Sequence, residues 1–221
     1  MINREVLLLL LLPLVCLSAP SFDKATLNEL DDIIHGRSYD ARLRPGGDGP
    51  VTVSLSGYIL HLDHVDLDNN EITLTMYFRQ FWTDERLKIS KRVVLNDISG
   101  IWHPDTFIVH EKRMPKVEEE EFVRIDPSGE VLYSKKITKK LSCVPIEDTT
   151  CQLDFESYGF TAADINYQIK EGADQSFQFA PDRVQQGYMI TELEPKTVTA
   201  TLNTGTYSRV FVNINIEQFN D

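Results

Sequence analysis

The chain has 221 residues, with 34 aspartates and glutamates against 22 lysines and arginines, a net charge of −12. That balance argues against a phosphate-backbone partner, which would need a surplus of cations; it is compatible with a cationic ligand, or with a charged surface that keeps a protein soluble. Once a leader is removed, about 200 residues remain, which fit one all-β domain as readily as two smaller ones, and we read one.

The first segment, 1–19, carries the early charge Arg4, an apolar block from 6 to 17 and the small residues Ser18 and Ala19. This is the pattern of a secretory signal. Its twelve-residue apolar block is too short to span a bilayer, which takes about 20 residues. Cys16 leaves with the signal, so Cys143 and Cys151 are the pair available in an oxidising compartment. The ligand-binding domain is expected to occupy 20–221.

Leu27, Leu30, Ile33 and Ile34 recur at helical spacing, with Asp23 as a cap and Gly36 just past the end. A proline- and glycine-rich linker follows at 42–50. Beyond it the pattern is that of strands. Residues 51–60 and 72–82 alternate, and Val210, Val212, Ile214 and Ile216 alternate with Phe211, Asn213, Asn215 and Glu217. Turn residues punctuate these runs at 68–70, 126–129 and 203–205. Short strands, tight turns and no βαβ alternation predict a mainly β fold, an immunoglobulin-like twisted β-sandwich with one N-terminal α-helix.

No catalytic motif is present, neither a nucleophile elbow, a zinc-protease helix nor a phosphate loop, so the chain is not read as an enzyme. His61, Asp63, His64 and Asp66 form the best metal candidate, but residues 61 and 64 of a regular strand point to opposite faces. No metal or cofactor is therefore expected. The carboxylates at 118–121 lack the spaced ligands of a calcium loop and read as a solvated connection between strands.

Cys143 and Cys151, the element Glu156-Ser157-Tyr158-Gly159, Trp102-His103-Pro104-Asp105, Thr204-Gly205-Thr206-Tyr207, and the segments at 39–45, 74–87 and 131–134 occur in a specific order and spacing. Together they resemble the extracellular ligand-binding domain of Cys-loop receptors, the pentameric ligand-gated ion channels, in their GABA and glycine receptor branch. The nicotinic branch fits less well, since no adjacent cysteines occur around 202–207.

The resemblance implies a disulfide between Cys143 and Cys151, and a subunit of a homo- or hetero-pentamer with related subunits. It also implies a small amino-acid transmitter, GABA or glycine-like, bound between subunits of a chloride channel. On the complementary face it assigns Tyr77, Arg79 and Ser134, with Arg79 holding the ligand carboxylate. On the principal face it assigns Phe107, Glu156, Tyr158, Thr204 and Tyr207, which would receive the amine through cation–π contacts of about 0.5–2 kcal/mol each and a charge-assisted bond. Read alone, Phe107 and Tyr158 would serve equally as core aromatics, and Ser134 as a satisfied serine. Trp102 and Asp105 are assigned to structure. Leu202 departs from the family's aromatic.

The loop between the cysteines is shorter than the family's and lacks its Phe-Pro-x-Asp tip, so the chain alone is not expected to conduct. The expected location is extracellular, at the plasma membrane if the chain continues past Asp221 and secreted otherwise. Contact with the membrane is expected only through such a continuation or through partner subunits. A soluble transmitter-binding protein of the same fold is the alternative.

Overall fold

A computed structural model describes residues 24–66, 68–115, 119–145, 149–172, 176–181, 184–185 and 187–218. The signal segment, Asp23 and the loop tip at 146–148 lie outside the described residues.

The helix α1 spans Lys24–Ile34. Its face of Leu27, Leu30, Ile33 and Ile34 packs on the core as the spacing predicts, and the chain leaves it through a turn in which Gly36 N donates to Ile33 O.

Among the described residues thirteen strands follow. The first eight are β1 Val51–Asp66, β2 Glu71–Thr83, β3 Val93–Leu95, β4 Thr106–Ile108, β5 Glu111–Lys112, β6 Glu120–Ile125, β7 Glu130–Pro145 and β8 Thr149–Ser157. The rest are β9 Ile165–Ile169, β10 Phe177–Phe179, β11 Val184–Gln185, β12 Tyr188–Leu202 and β13 Gly205–Gln218.

One layer is built around the antiparallel set β1, β2, β7 and β6, the other around β4, β8, β13 and β12. The end of β7 crosses from the first layer to pair with β8, with Cys143 opposite Cys151. These two cysteines form the disulfide that the resemblance implied. Closing so short a loop stabilises the fold mainly by restricting the unfolded chain. Replacing both cysteines by alanine is expected to cost about 2.5 kcal/mol, measured as a fall in the urea midpoint; an unchanged midpoint would show that the bridge contributes nothing.

Inward-pointing residues of both layers make a single core. Ile72, Leu74, Met76 and Phe78 of β2 face Leu153 and Phe155 of β8 and Val210, Val212 and Ile214 of β13, all buried. Across the gap Phe78 and Phe155 stack at 4.4 Å, and Phe177 adds a second ring at 5.8 Å.

The turn predicted at 126–129 forms, with Gly129 N donating to Asp126 O. Only glycine fits its last position: φ is 82°, and a Cβ there would sit 2.5 Å from the carbonyl oxygen of Asp84.

Two predicted details change. β1 carries irregularities between Ile59 and His61 and between Leu62 and His64, each inserting one residue relative to β2. The two slips put His61 opposite Thr75 and His64 opposite Thr73, on the same outward face and not on opposite ones. Even so, among the described residues no three His, Cys, Asp or Glu side chains converge as metal ligands.

The acidic run is likewise no mere solvated connection. Glu120 and Glu121 open β6, Glu119 pairs with Lys135 and Lys139, and Glu121 accepts from the Tyr133 hydroxyl. Glu118 lies outside the described residues.

β12 is flanked on its outer side by β11 for two residues only. From Ile190 onward it pairs, among the described residues, with β13 alone and leaves its other edge free. Among the described residues no helix is long and apolar enough to cross a membrane.

Candidate functional site

Period two along β2 turns Phe78 into the core and Arg79 outward. The same alternation along β8 turns Phe155 inward and Glu156 outward. Because Phe78 and Phe155 stack between the layers, Arg79 and Glu156 point away from each other, on opposite outer faces of the sandwich. The eight predicted ligand residues therefore divide into two groups that a single chain does not bring together.

The first group lies on the outer face of β2 and β7. Arg79 stands directly opposite Ser134 on β7, and Ser56 flanks it from β1. Both serines are buried, and the residues beside Arg79 on its two neighbouring strands thus carry hydroxyls and not carboxylates. Arg79 lies 5.5 Å from the ring centroid of the half-exposed Tyr77 and forms no ion pair among the described residues. A cation held without an anion suits an incoming carboxylate, which the planar guanidinium can meet with two parallel bonds. Ser56 was missed in the sequence because its alignment with Arg79 depends on strand register.

The second group lies on the outer face of β4, β8 and β13. Phe107 is opposite Glu156, and Glu156 is opposite Arg209. Tyr158 stands just past the end of β8, 81% exposed, with its ring edge-on to Phe107 at 5.8 Å. Neither ring is a core aromatic.

Asp105 fixes this corner by accepting from the Ser157 hydroxyl and the Gly159 amide, while Trp102 is buried against Trp82 and donates its backbone N–H to the Tyr39 hydroxyl. The structural roles expected for Trp102 and Asp105 hold. In the hairpin between β12 and β13, Tyr207 donates to the exposed Thr204 hydroxyl at 2.9 Å. Leu202 is exposed at the same tip.

Pattern reading alone also missed the partner of Glu156. Only 4% exposed, Glu156 accepts through Oε2 from both Nε (2.9 Å) and Nη2 (2.8 Å) of Arg209. The third nitrogen of Arg209 lies 3.6 Å from Asp154 Oδ2, which also meets Nδ1 of His110 at 3.0 Å. Asp154 is 3% exposed, and its Oδ1 has no hydrogen-bond partner among the described residues. Burial pushes the Asp154 carboxyl above the usual aspartate value, while His110 and Arg209 pull it the other way. Four ionisable groups thus share one patch on the outer face of β4, β8 and β13.

The sequence matches the model of the family described as "Neurotransmitter-gated ion-channel ligand binding domain" over residues 27–218. It is 29% identical to the human gamma-aminobutyric acid receptor subunit rho-1 over 217 residues, covering 90% of this chain and 45% of that protein. It is 31% identical to the glutamate-gated chloride channel of Drosophila melanogaster over 208 residues, 84% of this chain and 44% of the relative. With the chicken (Gallus gallus) gamma-aminobutyric acid receptor subunit beta-4 the identity is 29% over 220 residues, 92% and 44%. The chain therefore spans less than half the length of these curated relatives. They are receptor and channel subunits and not enzymes. A family match across almost the whole described chain, on a β-sandwich closed by the Cys143–Cys151 bridge, has one reading: this chain belongs to the neurotransmitter-gated ion-channel ligand-binding domain family.

Proposed function

We propose that the chain is the extracellular ligand-binding part of a transmitter-gated chloride-channel subunit, and that its ligand is a small amino acid held between adjacent subunits of a pentamer. The observation that carries this reading is the separation of the two groups. A carboxylate receptor, Arg79 with Ser134 and Tyr77, occupies one outer face. An amine receptor, Phe107, Glu156, Tyr158, Thr204 and Tyr207, occupies the other. Two half-sites on opposite faces become one pocket when a second subunit presents the complementary half.

The transmitters named for the relatives, gamma-aminobutyric acid and glutamate, each carry an ammonium and a carboxylate. At the amine end the ligand ammonium meets the faces of Phe107, Tyr158 and Tyr207, and Glu156 through Oε1, since both Arg209 contacts fall on Oε2. At the carboxylate end Arg79 and the Ser134 hydroxyl close the pocket. Membrane attachment and chloride conduction belong to this reading through the relatives.

Calorimetry on the oligomeric chain with 4-aminobutyrate, butyrate and butylamine tests it. Each analogue, lacking one charged end, is expected to bind at least about tenfold more weakly than 4-aminobutyrate, the scale of one charge-assisted hydrogen bond. Equal affinity for butyrate would remove the amine half-site. Absence of binding by all three would overturn the reading.

A further inference from the structure

His110 follows β4 and has no place in the two half-sites, yet it is wired to one of them. Its Nδ1 lies 3.0 Å from Asp154 Oδ2, the oxygen that also faces Arg209 at 3.6 Å, and Arg209 in turn holds Glu156 with two nitrogens. Asp154 is almost completely buried with Oδ1 unpartnered, so its negative charge is exposed to few groups besides these.

Charges on the neighbouring elements are matched elsewhere: Lys196 of β12 to Glu194, Glu111 of β5 to Lys139, and Lys112 to Glu71, while Arg113, three residues beyond His110, has no ion pair among the described residues. With His110 neutral, Arg209, Glu156 and Asp154 sum to one negative charge. With His110 protonated, the four groups sum to zero. His110 is half-exposed and reachable by solvent protons, and histidine changes charge between roughly pH 5 and 8.

We propose that His110 is a positioning residue for the amine end of the pocket, acting through Asp154 to set how much negative charge the Arg209–Glu156 pair presents to a ligand ammonium. The inference rests on the reading of the principal face given above and adds a proton as a regulator of that site. The sign follows from the charge sum. Falling pH adds a positive charge to the patch, so affinity for an amine falls. Neither end of 4-aminobutyrate titrates in this window, since carboxylates lie near 4 and alkylammonium groups near about 10.

The dissociation constant of 4-aminobutyrate is therefore expected to rise severalfold, up to about tenfold, between pH 7.5 and 5.5, because one unit of positive charge is added to the patch that faces the ligand ammonium. His110→Gln should flatten that ratio to within about twofold. His110→Lys, charged throughout, should give a flat profile at the weaker affinity. A His110→Gln ratio equal to that of the wild type would overturn the proposal.

A ligand-free measurement separates this from failure of the binding reading. In NMR spectra of the chain, the Arg209 Nε–H resonance should move with the His110 imidazole at one shared midpoint, and stand still in His110→Gln. An Arg209 resonance indifferent to pH in the wild type would sink the coupling even if 4-aminobutyrate binds. If 4-aminobutyrate does not bind at pH 7.5, the half-site reading fails and the NMR titration alone decides the coupling.

Discussion

Arg79→Ala is expected to weaken binding of 4-aminobutyrate by about 2–4 kcal/mol, roughly 30- to 1,000-fold in the dissociation constant. The magnitude reflects what remains after truncation. A ligand carboxylate would sit between Ser56 and Ser134, two hydroxyls that offer no compensating charge. Arg79→Lys should fall between the two, because an ammonium keeps the charge but loses the paired geometry of the guanidinium. Arg79 forms no ion pair in the described fold, so the alanine variant should unfold within about 0.5 kcal/mol of the parent. Calorimetry for binding and urea titration for stability separate the two effects. Equal affinity of parent and variant would remove Arg79 from the pocket.

Phe155→Ala should produce the largest loss of stability, about 3–5 kcal/mol. The ring is buried, stacked on Phe78 at 4.4 Å and flanked by Phe177 at 5.8 Å, so truncation empties the seam where the two layers meet. For a domain near 200 residues such a loss corresponds to a fall of roughly 10 °C in melting temperature. Phe155→Leu, which keeps most of the volume, should cost less than half as much. A melting temperature unchanged by the alanine substitution would mean that the seam does not hold the layers together. Phe155 shares its strand with Glu156, so its loss should also loosen the amine half-site.

What the sequence disclosed and what it concealed have physical causes. Alternation along β2 was readable because every inward residue from Ile72 to Trp82 is buried and most outward ones remain accessible, and a period of two survives in composition. The helix was readable for the same reason at a different period. The insertions in β1 were not, because they leave the apolar pattern nearly intact while shifting register against β2, and register is a property of two strands. The family motifs pointed to the residues of the two proposed half-sites one short segment at a time, since each motif is a contiguous run. The Arg209 contact with Glu156 joins positions 53 residues apart, and that with Asp154 rests on the same pairing of β13 with β8. The acidic run concealed its role because a carboxylate paired with lysine and one facing water look alike in a sequence.

The free margin of β12 bears on how copies of this chain behave at high concentration. From Glu192 to Lys196 that margin is guarded by three charges and by Pro195, which has no N–H to offer an added strand. Beyond Lys196 the guard stops: Thr197-Val198-Thr199-Ala200-Thr201-Leu202 is uncharged, β-branched at four of its six positions, and exposed at Val198 and Leu202. Its unpaired backbone groups are a template for another strand. The hairpin proposed to present Thr204 and Tyr207 to a ligand is thereby also a weakly defended seam against self-association, and a chain that keeps a long reach at that tip carries the hazard of aggregation at the same place.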